Sequence, residues 1–419
     1  MLFLSAGSFC KKESAMDIIA DLQIHSKHSR ATSKNLSFES LEKYGRIKGL
    51  GLMGVGDFQH PIHRQEIKEN LKEDEYGLLW TKTKFPFMWQ TEVSLMFSQD
   101  GKRRAVHLLI FAPNGETADQ IIEYLGSKGR LDYDGRPIFG ITCRDLVKDL
   151  KSISDKIEII PAHCMTPWFG LYGSKSGFDS LKECFQDQSS RIYAIESGMS
   201  ADPSMLWRFK EDVNIVSFSD AHSHWPWRIG REATIFDLPE LEYEGIMNAI
   251  RTGKGFKATI ETPPAYGKYH WDGHRACNFS CAPEETNKLK GKCPKCGKDL
   301  TIGVDFRVEE LAKAKHGYKP DNARQFFSLL PLHELIAFSI GSPLASRKTW
   351  EIYNALTDAF KSELDILLNI EKAKLARVCD EKLLELITRN RESRVKVKPG
   401  YDGTYGEIVL EHEEQKKLF

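Results

Sequence analysis

The chain has 419 residues, of which 41% are hydrophobic and 28% charged, and its formal net charge is zero. It carries neither a low-complexity tract nor an apolar run of the roughly 18 residues needed to span a bilayer, so we expect a soluble globular protein with no membrane partner. The length suits one large domain with attachments, or two to three ordinary domains. Zero net charge leaves any nucleic-acid binding to local basic patches.

Residues 1–15 are interpreted as a leader or a mis-assigned start. The segment LFLSAGSF is too short for the apolar core of a signal peptide, and Lys11 and Lys12 follow it instead of preceding it. Met16 stands directly before an apolar run and offers an alternative start. We therefore expect a cytoplasmic protein whose thiols stay reduced.

From residue 16 to residue 262, short apolar runs alternate with amphipathic segments. The predicted strands are DIIADLQI, GLGLMGVGD, HLLIFAP, IEIIPAH, RIYAIES and NIVSFSDAH. The segments SFESLEKYGRIKG and TADQIIEYLGSKG have helical periodicity. Repeated βα units predict an α/β fold of parallel strands, closed into a barrel or opened into a doubly wound sheet.

The remainder of the chain divides into three further segments. Residues 263–308 are rich in turns and aromatic residues and contain four clustered cysteines, which predicts a small metal-binding module. Residues 309–398 have amphipathic spacing, as in LLPLHELIAFSI, and are predicted to be helical. Residues 399–419 form a tail with a glycine-rich turn, a short strand and a charged end.

Polar side chains collect at the ends of the predicted strands. One histidine there is usually a structural group, but a series of histidines alternating with carboxylates suits zinc, manganese or iron. A carboxylate such as Glu92 can bridge two ions, and paired ions generate hydroxide and clamp a phosphoryl centre. The predicted chemistry is phosphoester hydrolysis, and the candidate residues are His25, Asp57, His60, Glu92, His107, His163, Glu196, Asp220 and His222.

These residues stand in motifs that resemble a known family. DLQIHS, GDFQHP, TEVS, HLLIFAP, PAHC and SDAHS are similar to the motifs of the polymerase and histidinol phosphatase (PHP) domain. Within that superfamily, GDFQHP, PAHCMTPWFGLYGS, ESGMSADP and SDAHSHWPWRIGREATIF resemble endonuclease Q. The resemblance extends over nearly the whole chain from Met16.

The resemblance implies a PHP-type distorted (β/α)7 barrel that holds two to three divalent ions, zinc, manganese or magnesium. It implies Asp220, Glu92 and His163 as catalytic residues, and Glu196 as a residue that shapes the pocket or orients a ligand. The implied metal ligands are His25, Asp57, His60, Glu92, His107, His163, Asp220 and His222.

The chain departs from the family pattern at Gln23, where the first histidine of a His-x-His pair is expected. An amide oxygen is a weak, neutral ligand that suits hard ions better than zinc. Three interpretations follow: a weakened metal site, compensation by His28 or a water, and loss of catalysis. His28 itself is interpreted as a solvent-facing loop residue more readily than as a ligand, because a helical turn after a strand is not assured.

A second metal site is predicted in residues 263–308. Cys277, Cys281, Cys293 and Cys296 read C-x3-C-x11-C-x2-C, and thiolate ligation of a structural zinc would close a unit with little core of its own. His270 and His274 lie close enough in sequence to replace one of these cysteines. Cys164, beside His163, is interpreted as a buried cysteine and not as a nucleophile, because adjacent strand residues point to opposite faces.

Basic and aromatic residues near these sites predict contacts with double-stranded DNA. Lysines crowd the zinc module and a basic segment precedes the tail, and both suit phosphate contacts. The basic residues are Lys288, Lys290, Lys292, Lys295 and Lys298, with Arg389, Arg391, Arg394, Lys396 and Lys398. Rigid aromatic residues beside a catalytic centre can stack on an extruded base. The candidate substrate-binding residues are Glu196, Trp168, Phe169, Tyr172, Lys175 and Arg228, and Trp225 and Trp227 invite the same interpretation.

The resemblance to endonuclease Q implies cleavage on the 5′ side of deaminated bases (uracil, hypoxanthine, xanthine) or of abasic sites. Two alternatives are a PHP-type small-molecule phosphoesterase and a catalytically weakened lesion-binding protein, the latter suggested by Gln23. The final residues Gln415–Phe419, QKKLF, resemble the Q-x-x-L-F peptides that bind bacterial sliding clamps. A frayed amphipathic end is the alternative interpretation of that segment.

Overall fold

The structure is a computed structural model and describes residues 16–409. The predicted leader, residues 1–15, and the predicted clamp-binding peptide, Gln415–Phe419, lie outside the described residues. The strands are β1 (Met16–Asp21), β2 (Leu52–Gly54), β3 (Lys72–Glu73), β4 (Leu78–Trp80), β5 (Pro86–Met88), β6 (Gln90–Gln99), β7 (Lys102–Phe111), β8 (Ile138–Phe139), β9 (Glu158–Pro161), β10 (Ala194–Glu196), β11 (Asn214–Val216), β12 (Ala233–Leu238), β13 (Phe256–Glu261), β14 (Asp272–His274), β15 (Phe279–Cys281), β16 (Gln325–Ser328), β17 (Val397–Lys398) and β18 (Glu407–Ile408).

The helices lie between these strands and dominate the C-terminal third. They are α1 (Phe38–Lys48), α2 (Pro61–Asn70), α3 (Gly115–Lys128), α4 (Cys143–Ile153), α5 (Leu181–Phe185), α6 (Pro203–Leu206), α7 (Tyr243–Thr252), α8 (Pro283–Lys288), α9 (Val304–Leu311), α10 (Leu332–Ile340), α11 (Arg347–Phe360), α12 (Glu363–Leu368), α13 (Lys372–Leu375) and α14 (Glu381–Arg391). Among residues 16–409, none of these helices combines the length and the apolar character that a membrane crossing requires.

The sheets are mixed, and this corrects the expectation of parallel strands. The largest sheet has the order β16-β13-β12-β1-β2-β5-β4-β3, and a second sheet has the order β8-β6-β7-β9. Strands β1 and β2 are parallel, but β1 and β12, β12 and β13, and β6 and β7 are antiparallel. The β6–β7 hairpin turns at Asp100 and Gly101, whose φ angles of 52° and 74° suit a tight hairpin turn. The Asp-Gly pair is the sequence signal for this hairpin.

The described strands do not pair into one closed ladder, so the expected (β/α)7 barrel is not present in that form. Among the described strands, β10 and β11 pair only with each other. Single hydrogen bonds link the segment after β11 to its neighbours. His25 N, after β1, donates to Ala221 O at 3.0 Å, and Ser217 N donates to the hydroxyl of Thr234 on β12 at 3.1 Å. The fold is therefore a mixed α/β fold whose strand ends nevertheless converge.

Helix α1 illustrates how local sequence sets the elements. Ser37 and Ser40 form a capping box, in which each side chain accepts from the other residue's backbone N–H. The helix ends at Gly49, whose φ of 99° is the left-handed conformation that glycine adopts without strain. Its inward face carries Phe38 and Leu41, which join the main hydrophobic core. The predicted helix is thus confirmed with both of its boundaries explained.

The C-terminal helices pack directly against the sheet region. Lys48 and Glu363 are both buried and their charged atoms lie 2.7 Å apart, which joins α1 to α12. Trp225 and Trp227 stack with ring centroids 5.4 Å apart and contact Trp350 of α11. These two tryptophans therefore belong to one aromatic cluster, in which Trp227 is buried and Trp225 half-buried, and base binding by them stays a prediction.

The predicted helical region also contributes a strand to the large sheet. β16 pairs in parallel with β13, from Ala258 opposite Gln325 to Glu261 opposite Ser328. Residues 325–328 therefore cover the β13 edge of the sheet that also contains β1. The segment predicted to be helical, residues 309–398, thus shares a sheet with strands of residues 16–262.

Candidate active site

The predicted strand-end residues converge where β1, β6, β7, β9 and β11 end or pass. His25 follows β1, Glu92 lies on β6, His107 lies on β7, His163 follows β9 and Asp220 follows β11. Asp220 and His163 adopt positive φ angles of 48° and 29°, which are unusual for these residue types. Strain of this kind is typical of functional positions, where the surrounding fold holds the side chain in place.

The first group that could hold a metal ion consists of His25, Asp220 and His222, whose ligand atoms lie within 4.8 Å of one another. His25 is fully buried, and its Nε2 lies 3.0 Å from Asp220 Oδ1 and 2.9 Å from Glu92 Oε2. Burial disfavours a charged imidazole, but the neighbouring carboxylates outweigh it and hold the pKa of His25 well above its usual range. The same surroundings would favour a bound cation.

Asp57 stands behind His25 instead of within this group. Its Oδ1 lies 2.9 Å from His25 Nδ1, and its Oδ2 accepts from the Ser26 backbone N–H at 2.6 Å and from the hydroxyls of Ser26 and Ser29. Both oxygens are thereby occupied by the protein. Asp57 has the position of a carboxylate that orients a metal-binding histidine, so the structure does not place it as a direct ligand.

Glu92 connects the first group to a second one, made of Glu92, His107 and His163. Its Oε2 faces His25, whereas its Oε1 lies 2.6 Å from His107 Nδ1 and 3.4 Å from His163 Nε2. Burial alone would raise the pKa of Glu92, but Arg136 and His107 lower it well below its usual range. Burial also lowers the pKa of His107 to about 4, which leaves a neutral imidazole able to act as a ligand. This geometry suits a carboxylate that bridges two ions.

His163 is held in position from two sides. Its backbone N–H donates to Glu196 Oε2 at 2.5 Å, and its Nδ1 lies 3.0 Å from the Thr166 hydroxyl. Glu196 is fully buried, and burial raises its pKa well above the usual range. It therefore lies beneath the site and not on a surface that a substrate could reach. Thr166 was not identified from the sequence, although it lies three residues after His163.

Gln23 is fully buried between the two groups. Its Nε2 donates to Glu92 Oε2 at 3.0 Å, and its Oε1 has no hydrogen-bond partner among the described residues. A buried acceptor without a partner costs roughly 1–3 kcal/mol. The orphaned oxygen points to a missing positive charge or donor, as expected if the site holds cations.

Arg136 also belongs to the site, and the sequence pattern did not reveal it. Its guanidinium Nη1 lies 3.3 Å from Glu92 Oε1, and its side chain is 26% exposed. The arginine comes from the loop between α3 and β8, where no motif marks it. It provides a fixed positive charge at the edge of the metal-binding groups, where a phosphate would approach.

His60 is not brought into either group. It is 4% exposed, its Nδ1 has no hydrogen-bond partner among the described residues, and its ring stacks on His28 with centroids 4.5 Å apart. His28 is half-buried and contacts Glu66, so the prediction that it faces solvent from a loop is not supported.

The aromatic residues after His163 have different environments. Trp168 is 43% exposed, and the Phe169 ring lies 4.4 Å from that of His107. Tyr172 is fully buried against Phe209 and has no surface to offer a base. Lys175 is exposed, whereas Arg228 lies over the Tyr405 ring. Of the predicted base-binding residues, Trp168 and Phe169 have the most suitable positions.

The structure assembles a third candidate metal group in residues 263–308, with one change from the predicted four cysteines. The group is His274, Cys277, Cys293 and Cys296, and His274 Nδ1 lies 3.4 Å from Cys296 Sγ. Cys281 is left out and its Sγ lies 3.3 Å from the Thr286 hydroxyl. Cys281 is buried in the small core that also contains Cys293 and Leu300. The resulting pattern is H-x2-C with C-x2-C, and the alternative that His274 replaces a cysteine is the one that the geometry favours.

The basic segments are partly neutralised by their own neighbours. Lys292 pairs with Asp299 at 2.6 Å, Lys288 with Glu285 at 3.0 Å and Arg394 with Glu392. Arg391 donates to the Leu367 carbonyl at 3.1 Å and therefore helps to hold α12. Lys290 and Lys298 are exposed. The phosphate-binding role of these segments stays a prediction.

The fold has close counterparts among solved structures. The crystal structure of PfuEndoQ from Pyrococcus furiosus, a novel lesion-specific endonuclease, is 31% identical to this chain and superposes with a TM-score of 0.85. The match covers 96% of this chain and 97% of that one. The chain belongs to the endonuclease Q family. A second endonuclease Q structure, 30% identical with a TM-score of 0.84, is a complex with a 27-mer duplex substrate that carries an abasic lesion at the active site, and the match covers 95% of this chain and 98% of that one.

Two further similarities concern parts of this chain. Residues 331–394, which contain α10 to α14, match the family described as the MJ0043 C-terminal domain. The uncharacterized protein MJ0043 of Methanocaldococcus jannaschii is 32% identical over 253 residues, which make up 59% of this chain. The chain spans only 31% of the length of that relative.

Proposed function

We propose that the protein is a metal-dependent DNA endonuclease that hydrolyses the phosphodiester on the 5′ side of a damaged nucleotide in duplex DNA. Deaminated bases (uracil, hypoxanthine, xanthine) and abasic sites are the proposed lesions. The observation that carries the proposal is the position of Glu92, whose Oε2 faces His25 of the first group and whose Oε1 faces His107 of the second group. The similarity to endonuclease Q, which covers 96% of the chain, supports it.

The donor sets fit divalent ions of the zinc or manganese type. Each strand-end group offers two imidazoles and one carboxylate, and three ligands leave a position open for water or substrate. Ions bound there would supply a hydroxide nucleophile at neutral pH and would polarise the phosphodiester. The expected set is two to three catalytic ions, with one structural zinc at His274, Cys277, Cys293 and Cys296.

The chain's own residues would bind and orient the reactants. Asp57 would keep the Nδ1 proton of His25 in place, so that Nε2 faces the site. Thr166 and Glu196 would hold His163, and Arg136 would bind a phosphate oxygen and balance its charge. Trp168 and Phe169 would support the extruded nucleotide, since the Phe169 ring lies beside His107 and Trp168 is exposed. The basic segments would then position the duplex without reading its sequence.

The decisive experiment compares binding and nicking on matched duplexes. Duplexes with one uracil, one hypoxanthine or one abasic site, and an undamaged control, are incubated with Mg²⁺, Mn²⁺ or Zn²⁺. We expect lesion-dependent nicking that Asp220→Ala abolishes and that Asp17→Ala, on the exposed end of β1, leaves unchanged. Hydrolysis of a sugar phosphate without DNA affinity would favour a small-molecule phosphoesterase. Tight lesion binding without nicking in any metal would favour a weakened lesion-binding protein, for which Gln23 is the motivating residue.

Binding of a sliding clamp through Gln415–Phe419 is a separate proposal that rests on the sequence QKKLF. Deleting these five residues is expected to abolish binding to a purified bacterial clamp and to leave nicking intact. Clamp affinity that survives the deletion would contradict it.

A further inference from the structure

A fourth cluster of metal-ligating side chains lies outside the groups that the endonuclease Q resemblance implies. His28, His63 and Glu66 each offer one ligand atom, and these atoms lie within 4.8 Å of one another. His28 belongs to the loop after β1, whereas His63 and Glu66 are spaced three residues apart on α2 and therefore share a face of that helix. We propose that these three residues bind a divalent transition-metal ion, with zinc as the best match.

The distances within the cluster suit a tetrahedral ion. His28 Nε2 lies 3.3 Å from Glu66 Oε1, and His63 Nδ1 lies 3.3 Å from Glu66 Oε2. Tetrahedral zinc with bonds of about 2.0–2.1 Å places its nitrogen and oxygen ligands about 3.3–3.4 Å apart. Two imidazoles and one carboxylate are also a ligand set that zinc uses with one position left open.

The hydrogen bonding of His63 provides an independent argument. Its Nε2 lies 3.0 Å from the Val55 carbonyl oxygen, and its Nδ1 faces Glu66 Oε2, so an acceptor lies opposite each ring nitrogen. A neutral imidazole carries one proton and satisfies only one of the two. If Nε2 donates to Val55, the Nδ1 lone pair faces a carboxylate, and an ion between them would turn a repulsion into two bonds. A backbone carbonyl that fixes the second nitrogen is the usual support of a metal-binding histidine.

The surroundings would keep this ligand set available. His63 is 4% exposed and packs against the Phe38 ring, with centroids 5.5 Å apart. The cluster borders a cavity of about 240 Å³, lined in part by Ser37 and Glu39, from which an ion could enter.

Lys27 is the competitor for this site. Its Nζ lies 2.8 Å from Glu66 Oε1, where it would repel a cation, but its side chain is 36% exposed and can turn toward solvent. An ion at the cluster would join the loop that carries Ser26 and Ser29 to α2. Since both serines donate to Asp57, the ion would help to hold the carboxylate that orients His25.

The test measures bound zinc in the full chain, so it does not depend on nicking. The protein is stripped with a chelator, reloaded with Zn²⁺ alone, desalted and analysed by mass spectrometry for zinc per chain. Glu66→Gln and His28→Ala are each expected to lose about one zinc ion relative to the wild type. The matched control, Glu69→Gln, changes an exposed carboxylate of the same helix and is expected to keep the wild-type stoichiometry. Circular dichroism identifies variants that have lost their fold.

Lys27→Ala distinguishes a metal site from a network of ion pairs. The substitution removes the competing charge. If the cluster is a metal site, the zinc ion that it holds should therefore bind more tightly. Co²⁺ loading adds a spectroscopic readout, and its visible absorption is expected to lose one component in Glu66→Gln. Equal zinc content in the wild type and Glu66→Gln, with no effect of Lys27→Ala, would show that the cluster is an ion-pair network only and would overturn the proposal.

Discussion

Gln23 donates a hydrogen bond from Nε2 to Glu92 Oε2 at 3.0 Å and leaves its own Oε1 without a partner in a fully buried position. The Gln23 amide thus donates to one oxygen of Glu92, the carboxylate that lies between the two strand-end groups. An imidazole at this position would offer a lone pair to an ion, whereas the amide group offers a neutral oxygen and a competing donor.

Gln23→His is therefore expected to tighten binding of Zn²⁺ or Mn²⁺ by about tenfold, the lower end of the effects known for groups around metal ions. Nicking at limiting metal should rise with it. Gln23→Ala is expected to weaken binding, because it removes the orphaned oxygen without supplying a ligand. Calorimetric titration of the stripped protein measures both, and a Gln23→Ala variant that binds as well as the wild type would exclude a ligand role for the amide.

The zinc module provides a prediction that distinguishes ligation by His274, which the geometry favours, from ligation by Cys281, which the cysteine spacing favours. His274→Ala is expected to release about one zinc ion per chain, because the structure places His274 with Cys277, Cys293 and Cys296. Cys281→Ser is expected to retain that ion, because its sulfur faces Thr286. Zinc content measured after dialysis decides between them, and release of zinc from Cys281→Ser alone would restore the four-cysteine interpretation.

The buried pair of Lys48 and Glu363 predicts a strong effect on stability. Lys48→Met leaves Glu363 charged and buried, which is expected to lower the free energy of unfolding by about 3–5 kcal/mol. Adding Glu363→Gln should recover part of the loss, because the unpaired charge disappears while an acceptor for the Leu332 N–H remains. The exposed pair of Lys257 and Asp17 is the control, and Lys257→Ala should cost about 0–1 kcal/mol in urea denaturation. Equal costs for the two lysines would contradict the argument.

Glu232 predicts a pH dependence of stability. Burial raises its pKa to about 8, whereas an unfolded glutamate ionises near pH 4.3. The folded state thus binds the extra proton between these values, and the resulting stability is fully present below about pH 4.3 and is lost as the pH rises through about 8. Glu232→Gln mimics the protonated form, so its free energy of unfolding should fall less between pH 6 and pH 9. Glu240→Gln, on the exposed surface, should follow the wild type.

Much of the site could be predicted because strand ends converge whatever the details of the sheet. His25, Glu92, His107, His163, Asp220 and His222 were identified in this way and lie in the two groups. The contacts of Asp57 with His25 and Ser26 could not be predicted, because a sequence does not show which groups a carboxylate oxygen meets. Arg136 comes from a loop with no motif, and His63 and Glu66 form a group with His28 only after α2 packs on the loop that follows β1.

The antiparallel pairs were missed for a different reason. Periodicity marks a strand but not its direction, and the direction depends on the connection. Asp100 and Gly101 do carry a local signal, since both adopt positive φ in the β6–β7 turn. By contrast, the pairing of β1 with β12 joins segments more than two hundred residues apart, and no local pattern announces it.

The pairing of β16 with β13 bears on how the chain could be shortened. β13 would otherwise expose unpaired N–H and C=O groups along the four residues that pair with β16, from Ala258 to Glu261. Such an open edge is a template for pairing with other chains. A fragment that ends at residue 308 would therefore keep every strand-end ligand and still be prone to aggregate, because the strand that protects the sheet from self-association comes from the helical C-terminal region.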